Sequence, residues 1–338
     1  MAPQYALPSG VLSPFGVVGF FTTLYILAKS VHQASIYLRP SRLSRYIHPS
    51  PDGKPPWALV TGATSGTGLA FARELCSHGF NVVLHERDPE NLARVMRQLQ
   101  NEFPQRSFRM IAADATTVPC ANCLGPALRS SHEDEDVETV DFAEIQSALD
   151  DLNLTVLVNN VGGNRLNPLH LSVSDTSEER MTENISLNAL FPVHLTRTLL
   201  PTLIRSSPAL VINISSMADM GFPMLASYGA SKRFLMTFTR SLSLEMEMEG
   251  NDVEVLGIRL GRVSGTTFIR DPPSFSSPSA DETAKAALAK AGHGHGIVVG
   301  HWAHALQQLA TDLMPAWLGD RIFKTFAREQ MRAEAKRL

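Results

Sequence analysis

Short apolar runs alternate with longer segments of helical periodicity from residue 57 to the end of the chain. The runs are rich in Val, Ile and Leu and predict strands at Ala58–Thr61, Asn81–Leu84, Phe108–Ala112, Val156–Asn159, Leu210–Ile214 and Val253–Ile258. Ile297–Val299 is a candidate seventh strand, and Leu69–His78 and Glu90–Leu99 are the first helices between the strands. Strands that alternate with helices are typical of a parallel sheet covered on both faces. The pattern therefore predicts an α/β protein with a single domain built on a doubly wound parallel sheet.

The N-terminus has a different pattern, because no charged residue precedes Lys29. Val11–Ala28 is an apolar run about as long as the roughly 20 residues that span a bilayer core. A cleaved signal peptide would have a basic segment before this run, and none is present. A buried helix of a soluble protein is the other alternative, but two glycines, Pro14 and an apolar surface all round suit lipid better. We therefore expect a transmembrane anchor.

Basic residues follow the apolar run and do not precede it: Lys29, Arg39, Arg42 and Arg45. The positive-inside rule then places the rest of the chain in the cytosol. The segment 39–56 is rich in Pro, Ser and basic residues and is typical of a linker along a membrane surface. The predicted organisation is an anchor and juxtamembrane linker over residues 1–45, followed by one folded domain over residues 50–338.

One segment interrupts the alternation of strands and helices. Between Thr116 and Val140 the chain has no apolar period and contains the acidic run Glu133–Asp136. Like charges repel and stay hydrated, so we interpret residues 116–140 as a solvated insertion. Cys120 and Cys123 form a C-x-x-C pair there, but no second pair completes a zinc site. With three cysteines in the whole chain, a reducing compartment is the simpler interpretation.

Charge and the C-terminal pattern add little chemistry. The net charge of -3, from 30 basic and 33 acidic residues, gives no indication of a nucleic-acid partner. Trp302–Phe326 is helical in pattern and apolar on one side, which fits either a helix lying on a membrane or the core side of a last helix. His293, His295, His301 and His304 cluster nearby, but no carboxylate or cysteine stands at ligand spacing. No metal site is predicted.

A glycine-rich turn, TGATSGTG over Thr61–Gly68, joins the first predicted strand to the first helix. Glycines in this position let the backbone turn tightly and approach a pyrophosphate at the helix N-terminus. Free amides and the helix dipole favour anions there. The turn therefore predicts a dinucleotide site whose residues are Gly62, Thr64, Ser65, Gly66 and Gly68.

Residues after the next strands would complete this site. An acid at the end of the second strand hydrogen-bonds the ribose hydroxyls of NAD, whereas an arginine accommodates the 2'-phosphate of NADP. The chain has both, as Glu86 and Arg87. Asp114, after the third strand, is placed to meet the adenine edge. Asn160 ends the fourth strand, and Gly162 behind it lets the backbone pass close to the cofactor.

Tyr228 and Lys232 stand four residues apart at the start of an apolar run with helical spacing. On a helix the phenol and the ammonium would lie side by side. Taken alone, such a pair is ordinarily a half-buried tyrosine and a lysine whose stem packs on apolar surface. The phosphate-binding turn upstream favours a chemical role instead.

The chain contains five motifs in this order: TGATSGTG, NNVG, the Asn188 of SLNALF, the serines of NISS, and YGASK. In their order and spacing, from about Trp57 to Ile269, the chain resembles the short-chain dehydrogenase/reductase family. The apolar leader, the RPSRLSRY linker and the tail from Trp302 also resemble its membrane-bound branch of very-long-chain 3-oxoacyl-CoA reductases and 17-beta-hydroxysteroid dehydrogenases. The resemblance implies a Rossmann fold, an NADP- or NAD-dependent oxidoreductase, a homodimer, and a single pass through the endoplasmic reticulum membrane.

The resemblance implies catalytic roles for Asn188, Ser216, Tyr228 and Lys232. The tyrosine would be the general acid that protonates the carbonyl oxygen, and the lysine would lower its pKa and hold the nicotinamide ribose. The asparagine would hold a water that relays protons to the lysine, and the serine would hydrogen-bond the substrate oxygen. Ser215 is the alternative serine, because it has the family's usual spacing to the tyrosine, whereas Ser216 has the matching place on the strand. Only one of the two can face the cofactor, because side chains alternate across a strand.

The resemblance also bears on the choice of cofactor. Val263 would contact the nicotinamide carboxamide. Glu86 would repel a 2'-phosphate, but the adjacent Arg87 can bind one bidentately. We therefore expect NADP, with NAD as the alternative.

The expected activity is reduction of a ketone on a lipophilic small molecule, or the reverse oxidation, in lipid or secondary-metabolite biosynthesis. Thr67, Val161 and Leu260 depart from the family pattern and, with the acidic insertion, favour a specialised substrate. Two alternatives stay open: a 3-oxoacyl-CoA reductase of fatty-acid elongation, and a scaffold protein that keeps the cofactor but has no turnover. The intact catalytic residues argue against the scaffold.

Overall fold

The computed structural model describes residues 12–118, 139–163, 168–267, 269–294 and 296–335, and the chain divides into two compact units at residue 40. The described part of the first unit contains one helix, α1 (Leu12–Leu38), and the large apolar side chains between Val17 and Val31 are exposed. No helix in the part of the chain that the structure describes has both the length and the apolar character needed to cross a membrane. The transmembrane anchor predicted at Val11–Ala28 is therefore not confirmed.

Seven parallel strands form a single sheet in the second unit, in the order β3-β2-β1-β4-β5-β6-β7. The strands are β1 (Pro56–Thr61), β2 (Asn81–Glu86), β3 (Phe108–Ala112), β4 (Asn153–Asn159), β5 (Ala209–Ser216), β6 (Val253–Leu260) and β7 (Ile297–Val299). Every residue of β1 and β4 is buried, because helices cover both faces of the sheet. The predicted doubly wound parallel sheet is confirmed, including the candidate seventh strand.

Helices of the second unit fill the connections between the strands, and the last two follow β7. They are α2 (Gly66–His78), α3 (Pro89–Glu102), α4 (Phe142–Ser147), α5 (Glu178–Ile185), α6 (Phe191–Arg205), α7 (Ala226–Glu249), α8 (Ala280–Leu288), α9 (Trp302–Leu313) and α10 (Ala316–Ala335). A π-helical turn at Ser186–Leu190 joins α5 to α6, and a 3₁₀ turn at Met217–Met220 follows β5. Five of the described helices begin at a side chain that accepts hydrogen bonds from the first helical amides: Asp88, Asp141, Ser177, Ser279 and His301.

The core between the sheet and α6 fixes the strands at the centre of the sheet. Leu59, Leu157 and Val211 point into it from β1, β4 and β5, and Phe191 and Leu195 pack against them from the helix. All of these side chains are almost fully buried. The carboxyl ends of parallel strands share one edge of the sheet, and the strand order reverses between β1 and β4. Ligands of open α/β sheets bind in the crevice at such a reversal.

Candidate active site

The glycine-rich turn between β1 and α2 leaves a cradle at this crevice. Gly62 has a φ of +66°, and a Cβ at Gly68 would lie 1.9 Å from the carbonyl oxygen of Gly62. No larger residue fits at Gly68 without moving the backbone. Ser65 precedes the helix, and its side chain makes no capping bond to the helical amides. The first amides of α2 are therefore available to an anion.

Asn160 holds the turn against the end of β4. Its amide nitrogen donates to the carbonyl oxygen of Thr61 at 3.0 Å, and its Oδ1 accepts from the Thr67 hydroxyl at 2.8 Å. The Thr61 hydroxyl in turn accepts from the backbone amides of Asn160 and Val161, both at 2.9 Å. The structure thus places Asn160 at the predicted site, where its side chain shapes the turn. Thr67, a departure from the family pattern, supplies one of these bonds.

The end of β2 brings two carboxylates and one arginine together. Thr64 Oγ1 donates to Glu86 Oε2 at 3.3 Å, and the Arg87 guanidinium lies 3.7 Å from the carboxylate of Asp114. The Arg87 side chain is more than half exposed, at 57%. Ser65 lies on the other side of the turn, with its hydroxyl 3.4 Å from that of Thr267. The residues predicted for the adenosine end are therefore neighbours.

These residues fit a nicotinamide dinucleotide. The backbone cradle at Gly62 and Gly68, with open amides at the start of α2, suits a pyrophosphate. An acid and an arginine stand where an adenosine ribose would reach. Val263 is buried in the loop that follows β6.

Asn188 and Lys232 converge on one backbone position beside β4. A Cβ at Gly162 would lie 2.7 Å from both Asn188 Oδ1 and Lys232 Nζ. Asn188 sits in the π-helical turn, and its amide nitrogen donates to the carbonyl oxygen and the Oδ1 of Asn184, at 2.9 Å and 2.8 Å. Its Oδ1 accepts from the backbone amide of Gly163 at 2.9 Å. The wider turn aims the asparagine inward, as π-helical turns at functional sites commonly do.

The two serines at the end of β5 face different surroundings. The hydroxyl of Ser216 faces that of Tyr228, whose pKa it lowers, and accepts from the amide of Ala218 at 3.2 Å. Ser215 is buried, and its hydroxyl donates to the carbonyl oxygen of Lys232 at 3.2 Å. Because neighbouring side chains on a strand point to opposite faces, only Ser216 stands beside the tyrosine.

A buried ion pair lies behind these serines. Arg259 Nε on β6 donates to Asp219 Oδ2 at 2.7 Å, and the Asp219 side chain is fully buried. The same carboxylate oxygen lies 3.4 Å from the hydroxyl of Ser215. The pair connects the 3₁₀ turn after β5 to β6, and removal of either partner would leave an uncompensated buried charge.

Burial shifts the pKa values of Tyr228 and Lys232 in opposite directions. Desolvation raises the pKa of Tyr228, the hydrogen bond with Ser216 lowers it, and the negative charge of Asp219 raises it further. Desolvation of the buried ammonium lowers the pKa of Lys232 to about 8. The ammonium donates to the carbonyl oxygen of Ile214 at 3.0 Å. The expectation that Lys232 lowers the pKa of the phenol stays a prediction.

A cavity of about 1110 Å³ opens beside the Ser216 and Tyr228 pair. Its surface is mainly apolar, and part of its wall is the aromatic cluster of Phe222, Phe323 and Phe326. The ring centroid of Phe222 lies 5.7 Å from that of Phe323 and 6.0 Å from that of Phe326. Such a cavity can hold a bulky apolar molecule with a polar group turned toward the serine and the tyrosine.

The last helices close this cavity. On α10, Glu334 accepts hydrogen bonds from the backbone amides of Leu169 and His170, and its Oε2 lies 3.3 Å from His170 Nδ1. Gln330 on the same helix accepts from Arg262 at 3.2 Å. A helix at the end of the chain is therefore fastened to two loops that come much earlier.

His304 on α9 fastens the loop after β6. The ring is fully buried, its Nδ1 accepts from the amide of Gly261 at 3.1 Å, and its Nε2 lies 3.0 Å from the carbonyl oxygen of Arg262. Desolvation lowers the pKa of His304 to about 4, so the ring is neutral at pH 7. His301 begins the same helix. No group of three or more His, Cys, Asp or Glu side chains suited to a metal occurs among the residues whose positions are given, and His295 lies outside them.

Some sequence predictions fall outside the described residues. Cys120, Cys123 and the acidic run Glu133–Asp136 all lie in the segment 119–138. In contrast, Asn184, Asp219 and Arg259, with the cavity wall from α10, belong to the site and were not predicted. Asn184 had a signal, since it stands four residues before Asn188 and shares its helix face.

The doubly wound parallel sheet has this cradle, Ser216 and Tyr228 at the cavity, and Asn188 and Lys232 beside Gly162. Together these features define a nicotinamide-dinucleotide-dependent oxidoreductase. The short chain dehydrogenase family matches residues 56–122 and 132–273. The chain belongs to this family of short-chain dehydrogenases/reductases.

Its relatives include several very-long-chain 3-oxoacyl-CoA reductases. A very-long-chain 3-oxoacyl-CoA reductase-like protein of Arabidopsis thaliana is 31% identical over 289 residues, which cover 84% of this chain and 82% of the relative. The very-long-chain 3-oxoacyl-CoA reductase of Aspergillus terreus is 26% identical over 295 residues, covering 85% and 76%.

Solved structures share the fold. A 7beta-hydroxysteroid dehydrogenase has a TM-score of 0.61 and 20% identity, covering 84% of this chain and 98% of its own. A short-chain dehydrogenase of Sphingobium yanoikuyae in complex with NADPH has a TM-score of 0.58 and 24% identity, covering 77% and 97%.

Proposed function

We propose that this protein is an NADP-dependent ketoreductase that acts on lipophilic substrates, in either direction. The observation that carries the proposal is the pairing of Ser216 with Tyr228 at the wall of a large apolar cavity, next to Lys232 and Asn188. This arrangement joins a proton donor and a second hydrogen-bond donor to a space for an apolar molecule. It is unsuited to a scaffold, which has no need of a buried lysine.

The side chains would act on the substrate oxygen. A bound nicotinamide supplies the hydride. Tyr228 donates its hydroxyl proton to the carbonyl oxygen as the carbonyl carbon is reduced, and Ser216 hydrogen-bonds the same oxygen and orients it. The ammonium of Lys232 stabilises the phenolate that is left. Asn188 holds a water through which Lys232 is supplied with protons from solvent.

The relatives' names favour a 3-oxoacyl-CoA as the first substrate to test. This supports the fatty-acid elongation alternative more strongly than the sequence motifs did. The apolar cavity supports the general class of lipophilic ketones, whether acyl chains or polycyclic molecules.

Oxidation of NADPH with a panel of ketones tests the proposal. The panel contains long-chain 3-oxoacyl-CoA thioesters, steroid ketones and a small water-soluble ketone, and Tyr228→Phe is measured beside the wild type. We expect turnover of at least one lipophilic ketone and a fall of about 10²–10⁴-fold in kcat for the variant, because general acid catalysis contributes that much. Equal rates for the two proteins would refute the role of Tyr228, and cofactor binding without turnover of any ketone would favour the scaffold.

The preference for NADP rests on Arg87. Its exposed guanidinium can bind a 2'-phosphate, while Glu86 is engaged with Thr64. Arg87→Ala should weaken NADPH about ten-fold to a hundred-fold, as expected for one charged hydrogen-bond partner, and leave NADH nearly unchanged. Glu86→Gln is the matched control, which removes a repulsive charge and should not weaken NADPH. Equal losses for both cofactors in Arg87→Ala would contradict the assignment.

We also propose that the chain is attached to the endoplasmic reticulum membrane through its N-terminal helix, with the catalytic domain in the cytosol, and that it forms a homodimer. The exposed apolar side chains of α1 between Val17 and Val31 support attachment. The basic residues after it support the cytosolic side.

The proposed dimer uses the long helices α6 and α7, as in other family members, and Phe234 and Met248 are exposed apolar residues on α7.

A further inference from the structure

Large exposed apolar residues are concentrated on α9 and at the start of α10. Trp302, Leu306, Leu309 and Leu313 repeat at intervals of three and four residues, so they form one stripe along α9. Leu313 is 77% exposed, and Trp317, at the start of α10, is 67% exposed. Together we name these five residues the apolar stripe. The exposure of these five side chains excludes the interpretation that they face the core.

A row of basic residues follows the apolar stripe along α10. Arg321, Lys324 and Arg328 are exposed and continue the three- and four-residue spacing from Trp317, so they lie on the same side of the helix. We name these three residues the basic row. Phe323 and Phe326 stand on a different side of α10 and line the cavity. The helix is thus apolar toward the cavity and basic away from it.

We propose that the apolar stripe and the basic row form a surface that lies on an anionic lipid membrane. Exposed apolar and aromatic side chains can enter the boundary between headgroups and acyl chains, while arginine and lysine contact anionic headgroups. A second copy of this chain is a poorer occupant, because a two-fold interface over the whole surface would have to bury the basic rows of both copies.

The surface also affects how a substrate would reach the cavity. This step alone rests on the proposed function. The other sides of α9 and α10 contribute Gln307, Thr311, Ile322, Phe323 and Phe326 to the cavity. Lipid contact would therefore place the cavity wall against the membrane, and a lipophilic ketone would reach the cavity without crossing bulk water.

Tryptophan fluorescence of the full chain tests the surface directly. The chain has three tryptophans, and Trp57 is buried in β1, so it serves as a shielded reference. The two proteins compared are Trp302→Phe, which keeps Trp57 and Trp317, and Trp302→Phe with Trp317→Phe, which keeps Trp57. Each is mixed with vesicles of phosphatidylcholine and phosphatidylserine, with or without bromine atoms on the acyl chains of the phosphatidylcholine. We expect bromine to quench the first protein and to leave the second nearly unchanged.

Two variants of the first protein sharpen the test. Leu309→Asp should abolish the quenching, whereas Val173→Asp, a similar change at another exposed apolar residue, should not. Replacing the basic row with glutamine should weaken the vesicle affinity read by Trp317 quenching about five-fold per residue, because each basic residue near an anionic surface contributes about that much.

Equal quenching of the two tryptophan variants while the protein sediments with the vesicles would overturn the proposal. A Trp317 emission that does not change when lipid is added would also overturn it. That result would mean that self-association or the chain's own N-terminal helix shields Trp317 from lipid. The readout is emission and not turnover, so a failed ketoreductase assay leaves this result intact, and the reverse also holds.

Discussion

Two adjacent serines at the end of β5 give the sharpest distinction at the scale of single residues. Ser216 faces Tyr228, whereas Ser215 is buried against the carbonyl oxygen of Lys232. Ser216→Ala should lower kcat about 10²–10³-fold, the usual cost of losing one hydrogen bond to a developing oxyanion, with little change in stability. Ser215→Ala should lower the free energy of unfolding by about 1 kcal/mol and leave kcat near the wild-type value.

Ketone reduction and urea unfolding of the two variants measure both effects. The alanine variants are matched controls for each other, because they remove the same hydroxyl one residue apart. A large loss of kcat in Ser215→Ala with little loss in Ser216→Ala would reverse the assignment.

The charge of Lys232 should give the reaction a pH dependence. With a pKa lowered to about 8 by burial, the ammonium is present below pH 8 and is lost above it. The rate of ketone reduction should therefore fall as pH rises through about 8, and Lys232→Met should be slow at every pH. A stopped-flow pH profile of hydride transfer measures this, and a wild-type rate that rises through pH 8 would contradict it.

The same pKa has the opposite effect on folding. An unfolded lysine keeps its proton up to about pH 10.5, whereas the folded state releases it from about pH 8. Between these values the unfolded state binds more protons, so this group makes the folded state more stable as pH rises. Loss of rate above pH 8 would thus not be caused by unfolding through Lys232.

At the scale of elements, local patterns predicted the strands better than the site. β3 and β7 have the predicted bounds, and β5 extends the prediction by two residues at its carboxyl end, as far as Ser216. Burial on both faces makes each strand an apolar run, which is a local signal. The contact of Glu334 with His170 has no such signal, because it joins residues that are distant in sequence and depends on how α10 packs.

The attachment of α10 by Glu334 should control how the cavity binds its substrate. Glu334→Ala removes acceptors for two backbone amides, so this cavity wall is loosened while Ser216 and Tyr228 are untouched. We expect the KM for a lipophilic ketone to rise about ten-fold, the equivalent of one hydrogen bond to a charged group, with kcat changed less. Glu329→Ala, at an exposed position of the same helix, should have no effect.

Steady-state kinetics with a fixed saturating cofactor measure this split between KM and kcat. An equal fall in kcat for Glu334→Ala with KM unchanged would show that the contact acts on the chemistry and not on the cavity wall.

At the scale of the whole molecule, the sequence predicted the class of fold because six strands alternate with helices and a glycine-rich turn follows the first strand, which is typical of a doubly wound sheet. It did not predict which surfaces stay exposed. The apolar side of Trp302–Phe326 fits both a core and a membrane surface in the sequence, and only the packing of α9 and α10 separates them.

Removal of residues 1–40 should separate the two proposed membrane attachments. The whole sheet lies in residues 41–338, which form a compact unit of their own, so the shortened chain should bind cofactor with unchanged affinity and keep its Tm. It should still sediment with anionic vesicles at low salt through the apolar stripe and the basic row. High salt should weaken this binding, because screening weakens the contact of exposed arginines and lysines with headgroups. The full chain should stay with the vesicles at high salt, since burial of the α1 side chains does not depend on ionic strength.

Cofactor titration, thermal unfolding and vesicle sedimentation across a salt series measure the three properties. If the shortened chain failed to bind vesicles at any salt concentration, the surface on α9 and α10 would not suffice for attachment, and if both chains were released together, α1 would contribute no apolar attachment.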